Sequence, residues 1–152
     1  MPPKTVIKGL DEVKLFAQKL LRYLSENGKN IQVISLSGNL GAGKTTLVQQ
    51  LALELGVQET VTSPTFTIMK SYPVPDSDQF QNLVHMDAYR IEALDELRPL
   101  GLEHLLMTPG NLVCIEWAER IAPVLPKDTI YLTLQTIDEE TREVIFDVNP
   151  TV

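Results

Sequence analysis

The sequence has 152 residues, 43% of them hydrophobic and 22% charged, which is typical of one compact domain spanning residues 1–152. Its 13 basic and 20 acidic residues give a formal net charge of -7, so the chain as a whole repels nucleic-acid phosphates and direct, unaided nucleic-acid binding is not expected. A single cysteine excludes a disulfide within the chain, and because there is neither a signal peptide nor an apolar run long enough to span a membrane, we expect a cytoplasmic protein.

The first half of the chain is predicted to contain a strand, a glycine loop and a helix in that order. A short extended segment around Thr5–Ile7 precedes an amphipathic helix, with Asp11 as its N-cap and Asn27-Gly28 as its end. The β-rich segment Ile31–Leu36 then leads into a glycine-rich loop, and a second helix follows and ends at Gly56.

The second half is predicted to alternate strands with short helices. Thr67–Tyr72 and Phe80–Met86 are expected to pair as a hairpin, and the leucines of residues 92–107, interrupted by Pro99 and Gly101, indicate two short helices. The remaining predicted elements are a buried strand at Leu112–Ile115, which includes Cys114 as a small core residue, a short helix at Ala118–Val124, and a closing antiparallel pair, Thr129–Thr136 with Arg142–Val148. The pattern indicates an α/β fold with a mixed sheet.

The segment Gly38–Thr45 matches the P-loop pattern G-x-x-x-x-G-K-S/T and lies between a predicted strand and a predicted helix. Its glycines let backbone N–H groups point into one concavity, to which the following helix adds its positive N-terminal end. Lys44 is expected to reach the β- and γ-phosphates, and the Thr45 hydroxyl to be a ligand of Mg²⁺. The alternative is a glycine-rich turn that only joins a strand to a helix.

Two acidic residues follow apolar strands and are candidates for the chemistry at the γ-phosphate. The D-x-x-G and N-K-x-D segments of a GTPase are absent, so ATP is the expected nucleotide. If the strands that end at Asp87 and Glu116 run parallel to the strand before the P-loop, both carboxylates share its edge of the sheet. One acid would then hold Mg²⁺ and the other would orient the attacking water. Alternatively, each caps the next turn.

Other polar and aromatic residues near these motifs allow two interpretations each. The hydroxyl-rich segment Ser63–Thr67 is either a loop that orders over the γ-phosphate or a strand-entry turn. Arg90 either stabilises phosphate charge or forms a surface ion pair, and Trp117 packs either at the site rim or in the core. His85 alternates with apolar neighbours and is expected to face solvent.

Four segments together resemble the TsaE (YjeE) family, bacterial P-loop ATPases of tRNA threonylcarbamoyladenosine biosynthesis; they are Ser37–Thr46, Ser63–Thr67, His85–Arg90 and Ile115–Trp117. The resemblance implies a P-loop NTPase-like three-layer fold with a mixed, mainly parallel central sheet and a C-terminal antiparallel strand pair. It also implies a weak Mg-dependent ATPase, with ATP and Mg²⁺ as cofactors. Its partners would be TsaB and TsaD, which install N6-threonylcarbamoyladenosine beside the anticodon, with tRNA contacted only through that complex.

The motifs and the resemblance together predict Lys44, Asp87 and Glu116 as catalytic residues, and Thr45, Glu116 and Asp87 as metal-binding residues. The expected nucleotide-binding residues are Glu12, Asn39, Leu40, Gly41, Ala42, Gly43, Lys44, Thr45, Thr46, Ser63, Thr65 and Arg142. For two of these a simpler role stays open: Glu12 as a helix-dipole residue and Arg142 as a solvated strand residue. Two other functions also stay open, a small-molecule P-loop kinase and a binding module whose ATP hydrolysis is incidental.

Overall fold

The computed structural model describes residues 1–27 and 32–148. Within these ranges the chain alternates strands with helices. The strands are β1 (Lys4–Lys8), β2 (Gln32–Ser37), β3 (Met69–Pro73), β4 (Asn82–Asp87), β5 (Asn111–Glu116), β6 (Ile130–Thr136) and β7 (Thr141–Asp147). The helices are α1 (Gly9–Glu26), α2 (Lys44–Glu54) and α3 (Leu102–Met107), with 3-10 helices at Leu94–Leu97 and Ala118–Val124.

The seven strands of the described ranges form one mixed sheet in the order β1-β7-β6-β2-β5-β4-β3. The four central strands, β6, β2, β5 and β4, are parallel to one another. Antiparallel strands flank them on both sides, because β7 pairs with β6 and β1, and β3 pairs with β4. The α/β fold with a mainly parallel centre and a C-terminal antiparallel pair is thereby confirmed.

Helical segments cover both faces of the sheet and produce two apolar cores. On one face α1 and α2 contribute residues such as Leu20 and Leu51, which pack with Leu36 of β2. On the other face Leu102 and Ile121 of the later helical segments pack with strand residues of β4 and β5. Three layers result, and strands buried on both faces read as continuous apolar runs in the sequence.

The register of the parallel strands places their carboxyl ends side by side. Asp87, the last residue of β4, is paired with Glu116, the last residue of β5. Glu116 is in turn paired with Leu36, one residue before the end of β2. The P-loop follows β2 directly, so the condition on strand direction that the sequence left open is met.

Several element boundaries differ from the sequence expectation by a few residues, as for β4, which begins at Asn82 and not at Phe80; two of the differences have identifiable reasons. Helix α1 begins at Gly9 rather than after an Asp11 cap, because the chain turns out of β1 at Gly9 (φ +75°), whose N–H donates to the carbonyl of Glu140 at 2.9 Å. The helix ends at Glu26 with Asn27 as its C-cap, in agreement with the predicted stop at Asn27-Gly28; Gly28 itself and the predicted strand start at Ile31 lie outside the described residues.

Strand β3 begins at Met69, two residues later than expected. The reason is Ile68, whose φ of +67° is left-handed and rare for a β-branched residue, so that the preceding segment cannot continue an extended strand. The carbonyl of Ile68 accepts the backbone N–H of Asp87 at 2.7 Å, which ties this turn to the end of β4.

Cys114 is fully buried in β5, as the sequence predicted for a core cysteine. Burial raises the pKa of its thiol to about 12, and the nearby Glu116 carboxylate adds to this shift. The thiolate is therefore negligible at neutral pH, and Cys114 contributes packing rather than reactivity. None of the helices in residues 1–27 and 32–148 combines the length and the hydropathy needed to cross a bilayer.

Candidate nucleotide site

The loop between β2 and α2 is shaped by left-handed glycines. Gly41 has a φ of +82°, and Gly43, the N-cap of α2, has a φ of +101°. The N–H of Ala42 donates to the carbonyl of Asn39 at 3.0 Å, which closes the turn. The first N–H groups of α2 then lack intrahelical acceptors, so this end of the helix suits an anion.

Lys44 lies at the start of α2 with only 9% of its surface exposed. Its Nζ donates to the carbonyl of Gly38 at 2.6 Å and lies 5.3 Å from the ring centroid of Trp117. The Trp117 side chain is 36% exposed, so it stands at the rim of the site and not in the core. The ammonium group is thus held over the loop, where it can meet the oxygens of a phosphate.

Hydroxyl and carboxylate oxygens from four segments converge beside the loop. The Thr45 hydroxyl lies within hydrogen-bond distance of Glu116 Oε2, at 3.4 Å. The Thr65 hydroxyl donates to Asp87 Oδ2 at 3.4 Å and also contacts the hydroxyl of Ser63 at 2.7 Å. Hydroxyl and carboxylate oxygens are the ligands that Mg²⁺ prefers, and Mg²⁺ takes only one or two carboxylates when phosphate and water complete its octahedron. The donor set fits that ion.

These residues line a cavity of about 510 Å³. The predicted site residues on its wall are Leu40, Gly41, Gly43, Lys44, Thr45, Thr46, Ser63, Thr65, Asp87 and Glu116. Aromatic side chains, Tyr89 and Trp117, complete the wall and lie 5.0 Å apart between ring centroids. Arg90 is not part of the wall, since its guanidinium stacks over the ring of Phe66 at 5.2 Å.

A second cavity, of about 370 Å³, lies on the other side of the P-loop and shares Gly41, Gly43 and Thr46 with the first. Its wall is mainly apolar. The lining residues that sequence analysis did not single out as site residues include Ile7, Leu10, Val13 and Leu134. Leu10 shows why: its spacing groups it with the core face of α1, yet 58% of its surface is exposed. The cavity forms where β1, α1, β6 and β7 meet beside the loop, a juxtaposition that local sequence patterns do not encode.

The remaining predicted nucleotide-binding residues are Arg142 and Glu12, which only the family resemblance suggested, and Ala42 and Asn39 of the P-loop. Arg142 lines the second cavity, and its Nη2 donates to the carbonyl of Gly41 at 3.2 Å. Ala42 lines the same cavity, while Asn39 stays exposed on the loop. Glu12 is not on either wall; its Oε1 accepts the backbone N–H of Lys8 at 3.0 Å, at the start of α1.

His85 was wrongly expected to face solvent. It is fully buried, and its Nε2 lies 2.7 Å from Glu116 Oε2. Alternation along β4 was a valid signal for two faces, but it indicates a solvated face only where a strand has one; here helices cover both.

Gly38 is expected to be intolerant of a side chain. A Cβ at this position would lie 2.5 Å from the backbone carbonyl oxygen of Leu134, and its φ is +149°. We expect Gly38→Ala to lower the free energy of unfolding by about 1–3 kcal/mol and to weaken nucleotide binding, because the loop and β6 must separate. Urea unfolding and an ATP titration measure both effects.

Gly41→Ala is the matched control for Gly38→Ala. Its φ of +82° carries backbone strain, but no atom lies within 4 Å of an added Cβ. A Gly38→Ala variant no less stable than Gly41→Ala would contradict the close approach of β6.

The geometry defines the class of protein as a P-loop NTPase fold. In this class a glycine loop joins a parallel strand to a helix, and a buried lysine and acids at strand ends lie beside the loop. A sequence model described as Threonylcarbamoyl adenosine biosynthesis protein TsaE matches residues 7–144. The chain belongs to the TsaE family.

Individual relatives agree with this assignment. The tRNA threonylcarbamoyladenosine biosynthesis protein TsaE of Treponema pallidum (strain Nichols) is 40% identical over 112 residues, 74% of this chain and 78% of that protein. The protein of the same name from Bacillus subtilis (strain 168) is 41% identical over 115 residues, 75% of this chain and 68% of that protein. The crystal structure of Bacillus subtilis YdiB superposes with a TM-score of 0.68 at 30% identity, covering 96% of this chain and 85% of that one.

Proposed function

We propose that this protein is a Mg-dependent ATP-binding protein and weak ATPase, which supports a TsaB–TsaD complex in forming N6-threonylcarbamoyladenosine next to the anticodon of tRNAs. The observation that carries the proposal is the convergence of Lys44, Thr45, Asp87 and Glu116 on one cavity at the N-terminus of α2. Family membership supplies the pathway, since the matching family is described as a threonylcarbamoyladenosine biosynthesis family.

The phosphate end of the nucleotide fits the larger cavity. The loop offers backbone N–H groups and the N-terminus of α2, and Lys44 is the one cation among the described residues on this wall. Its Nζ is already oriented by the carbonyl of Gly38, so little side-chain entropy is lost when phosphate oxygens arrive.

The adenosine end fits the smaller cavity. The two cavities share three residues of the loop and α2, so one extended ligand can occupy both. The apolar side chains of Leu10, Val13 and Leu134 suit the faces of a purine, and the Arg142 guanidinium offers a planar cation beside it.

The carboxylates divide two tasks. Glu116, near the Thr45 hydroxyl, would hold Mg²⁺, which when bound neutralises charge on the phosphates. Asp87 would orient the attacking water: its Oδ1 accepts the N–H of Tyr89 at 2.9 Å and its Oδ2 accepts from Thr65, so the carboxylate is fixed toward the cavity. Thr65 brings the segment from Ser63 onward next to the same point, as a loop over the γ-phosphate requires.

Slow hydrolysis by the isolated chain is consistent with the charge around this cavity. Among the described residues no arginine lines the wall, and a transition state of phosphoryl transfer is strongly stabilised by such a cation. A partner that supplies charge or closes the cavity would therefore accelerate turnover. The formal charge of -7 disfavours direct tRNA binding, so we propose that the partner complex binds the tRNA. We propose that the protein acts in the cytoplasm.

The test is an ATPase assay of this chain alone and with TsaB–TsaD from the same source. We expect slow Mg-dependent turnover by the chain and a rise of about tenfold or more with the complex, which is small beside the 10³–10⁵ of activated GTPases. Reactions in excess EDTA, and reactions of TsaB–TsaD without the chain, are the controls. Equal rates with and without the complex would contradict the partnership, and a tRNA that binds the chain alone would contradict the indirect contact.

A further inference from the structure

His85 is a buried polar side chain in the middle of β4. None of its surface is exposed, and its Nε2 lies 2.7 Å from Glu116 Oε2 across the β4–β5 pair. Its other ring nitrogen, Nδ1, is buried and has no hydrogen-bond partner among the described residues.

Apolar packing alone does not explain a histidine at this position. A leucine at the same position would pack without leaving a buried nitrogen unpaired, and unpaired buried polar atoms are rare and costly. The hydrogen bond to Glu116 is therefore the feature that explains a histidine here. Because an ionised carboxylate only accepts hydrogen bonds, pairing with Glu116 requires a proton on Nε2.

We infer that His85 is a positioning residue that holds the Glu116 carboxylate in the orientation needed to bind Mg²⁺ beside Thr45. The inference rests on the proposed function and assigns a new role within it. Glu116 Oε2 accepts from His85 on one side and lies 3.4 Å from the Thr45 hydroxyl on the other. His85 contacts only Oε2 of Glu116. By fixing that oxygen, the ring also fixes the direction in which the other carboxylate oxygen, Oε1, points.

The strand pairing explains how one strand serves both acids. Asp87 lies two residues after His85 on β4, so both side chains lie on the same face of the sheet, and Asp87 is the register partner of Glu116. Strand β4 thus supplies one acid directly and orients the other through His85. Carboxylates that bind metals are typically oriented by hydrogen bonds from residues that do not themselves contact the metal.

The first experiment compares His85→Asn with His85→Gln. Both replacements are uncharged amides, but the glutamine nitrogen reaches about as far as Nε2, whereas asparagine is one bond too short. ATP binding is measured calorimetrically over a series of Mg²⁺ concentrations and in excess EDTA. For His85→Asn we expect the Mg²⁺ concentration that gives half of the Mg²⁺-dependent gain in ATP affinity to rise about 10–100-fold, while the ATP affinity measured in excess EDTA stays unchanged. For His85→Gln we expect a Mg²⁺ dependence close to that of the wild-type protein.

The control variant is Met86→Leu, equally buried on the same strand but facing the other core. An unaltered Mg²⁺ dependence in His85→Asn would overturn the inference, as would an equal loss of binding with and without Mg²⁺ in both amide variants, which indicates general damage. If the wild-type chain itself shows no Mg²⁺-dependent ATP binding, the proposed function fails, and the inference fails with it.

A second measurement needs neither ATP nor Mg²⁺. The chain has two histidines, and the exposed His104 on α3 is an internal reference for the ¹⁵N spectrum of the imidazole rings. We expect His85 to show one fixed tautomer with hydrogen on Nε2, and that signal to shift in Glu116→Gln. A ring with hydrogen on Nδ1 and none on Nε2 would overturn the inference whatever the fate of the proposed function, because such a ring cannot donate to Glu116.

Discussion

Lys44→Ala is expected to remove most of the stabilisation that Mg-ATP gives the wild-type protein. At a ligand concentration of 100 times the dissociation constant, that stabilisation is about 2.7 kcal/mol. Lys44 is the one cation among the described residues that line the larger cavity. Its loss therefore leaves the phosphate charges without a counter-charge from these residues. Thermal or urea unfolding, with and without Mg-ATP, measures the difference for each variant.

The control for this variant is Lys70→Ala. Lys70 is an exposed lysine on β3 whose Nζ lies over the ring of Tyr72, away from both cavities that flank the P-loop. Removing it changes the net charge equally and should leave the response to Mg-ATP intact. If Lys44→Ala responds to Mg-ATP as fully as Lys70→Ala does, the P-loop is not the phosphate site and the proposed function is wrong.

Glu116→Gln is expected to lower Mg-dependent ATP hydrolysis by about 10²-fold or more while ATP still binds. The substitution keeps the size of the side chain and removes the charge that would hold the ion beside Thr45. Steady-state phosphate release and equilibrium ATP binding separate these two effects. Measuring tRNA modification by the complete complex with the same variant distinguishes an ATPase from a module in which bound ATP alone matters.

Glu119→Gln provides the comparison. Glu119 is exposed on the 3-10 helix that follows β5 and contributes to neither cavity wall. It should hydrolyse ATP at the wild-type rate. Undiminished hydrolysis in Glu116→Gln would assign the metal to another acid, and full tRNA modification without hydrolysis would favour the binding module.

The parts of the fold that depend on local chemistry were predictable from the sequence. The strand, glycine loop and helix around residues 32–54 follow from β-branched residues, glycines and helical spacing, and the structure contains them in that order. The positions of Asp87 and Glu116 at strand ends were also predictable, since an apolar run that stops at an acid marks the edge of a buried sheet. Whether 1–152 forms one domain stays a prediction.

The remaining features depend on contacts between distant segments, which no local pattern encodes. The burial of His85 required knowing that both faces of β4 are covered. The late start of β3 required the left-handed turn at Ile68, which a β-branched residue does not suggest. The second cavity required the placement of Leu134 on β6 beside the loop. In each case the feature depends on which segments pack together in the folded chain.

The hydrogen bond from Arg142 to the carbonyl of Gly41 joins positions 101 residues apart. Strand β2, which leads into the loop, is likewise flanked by β5 and β6, both formed from the later part of the chain. During synthesis on the ribosome, the P-loop therefore emerges long before β5, β6 and β7, the strands that support it. If the proposed function holds, we expect the nascent chain to gain affinity for nucleotide only after β6 and β7 have left the exit tunnel, so that bound nucleotide would not protect a partly translated molecule from proteases.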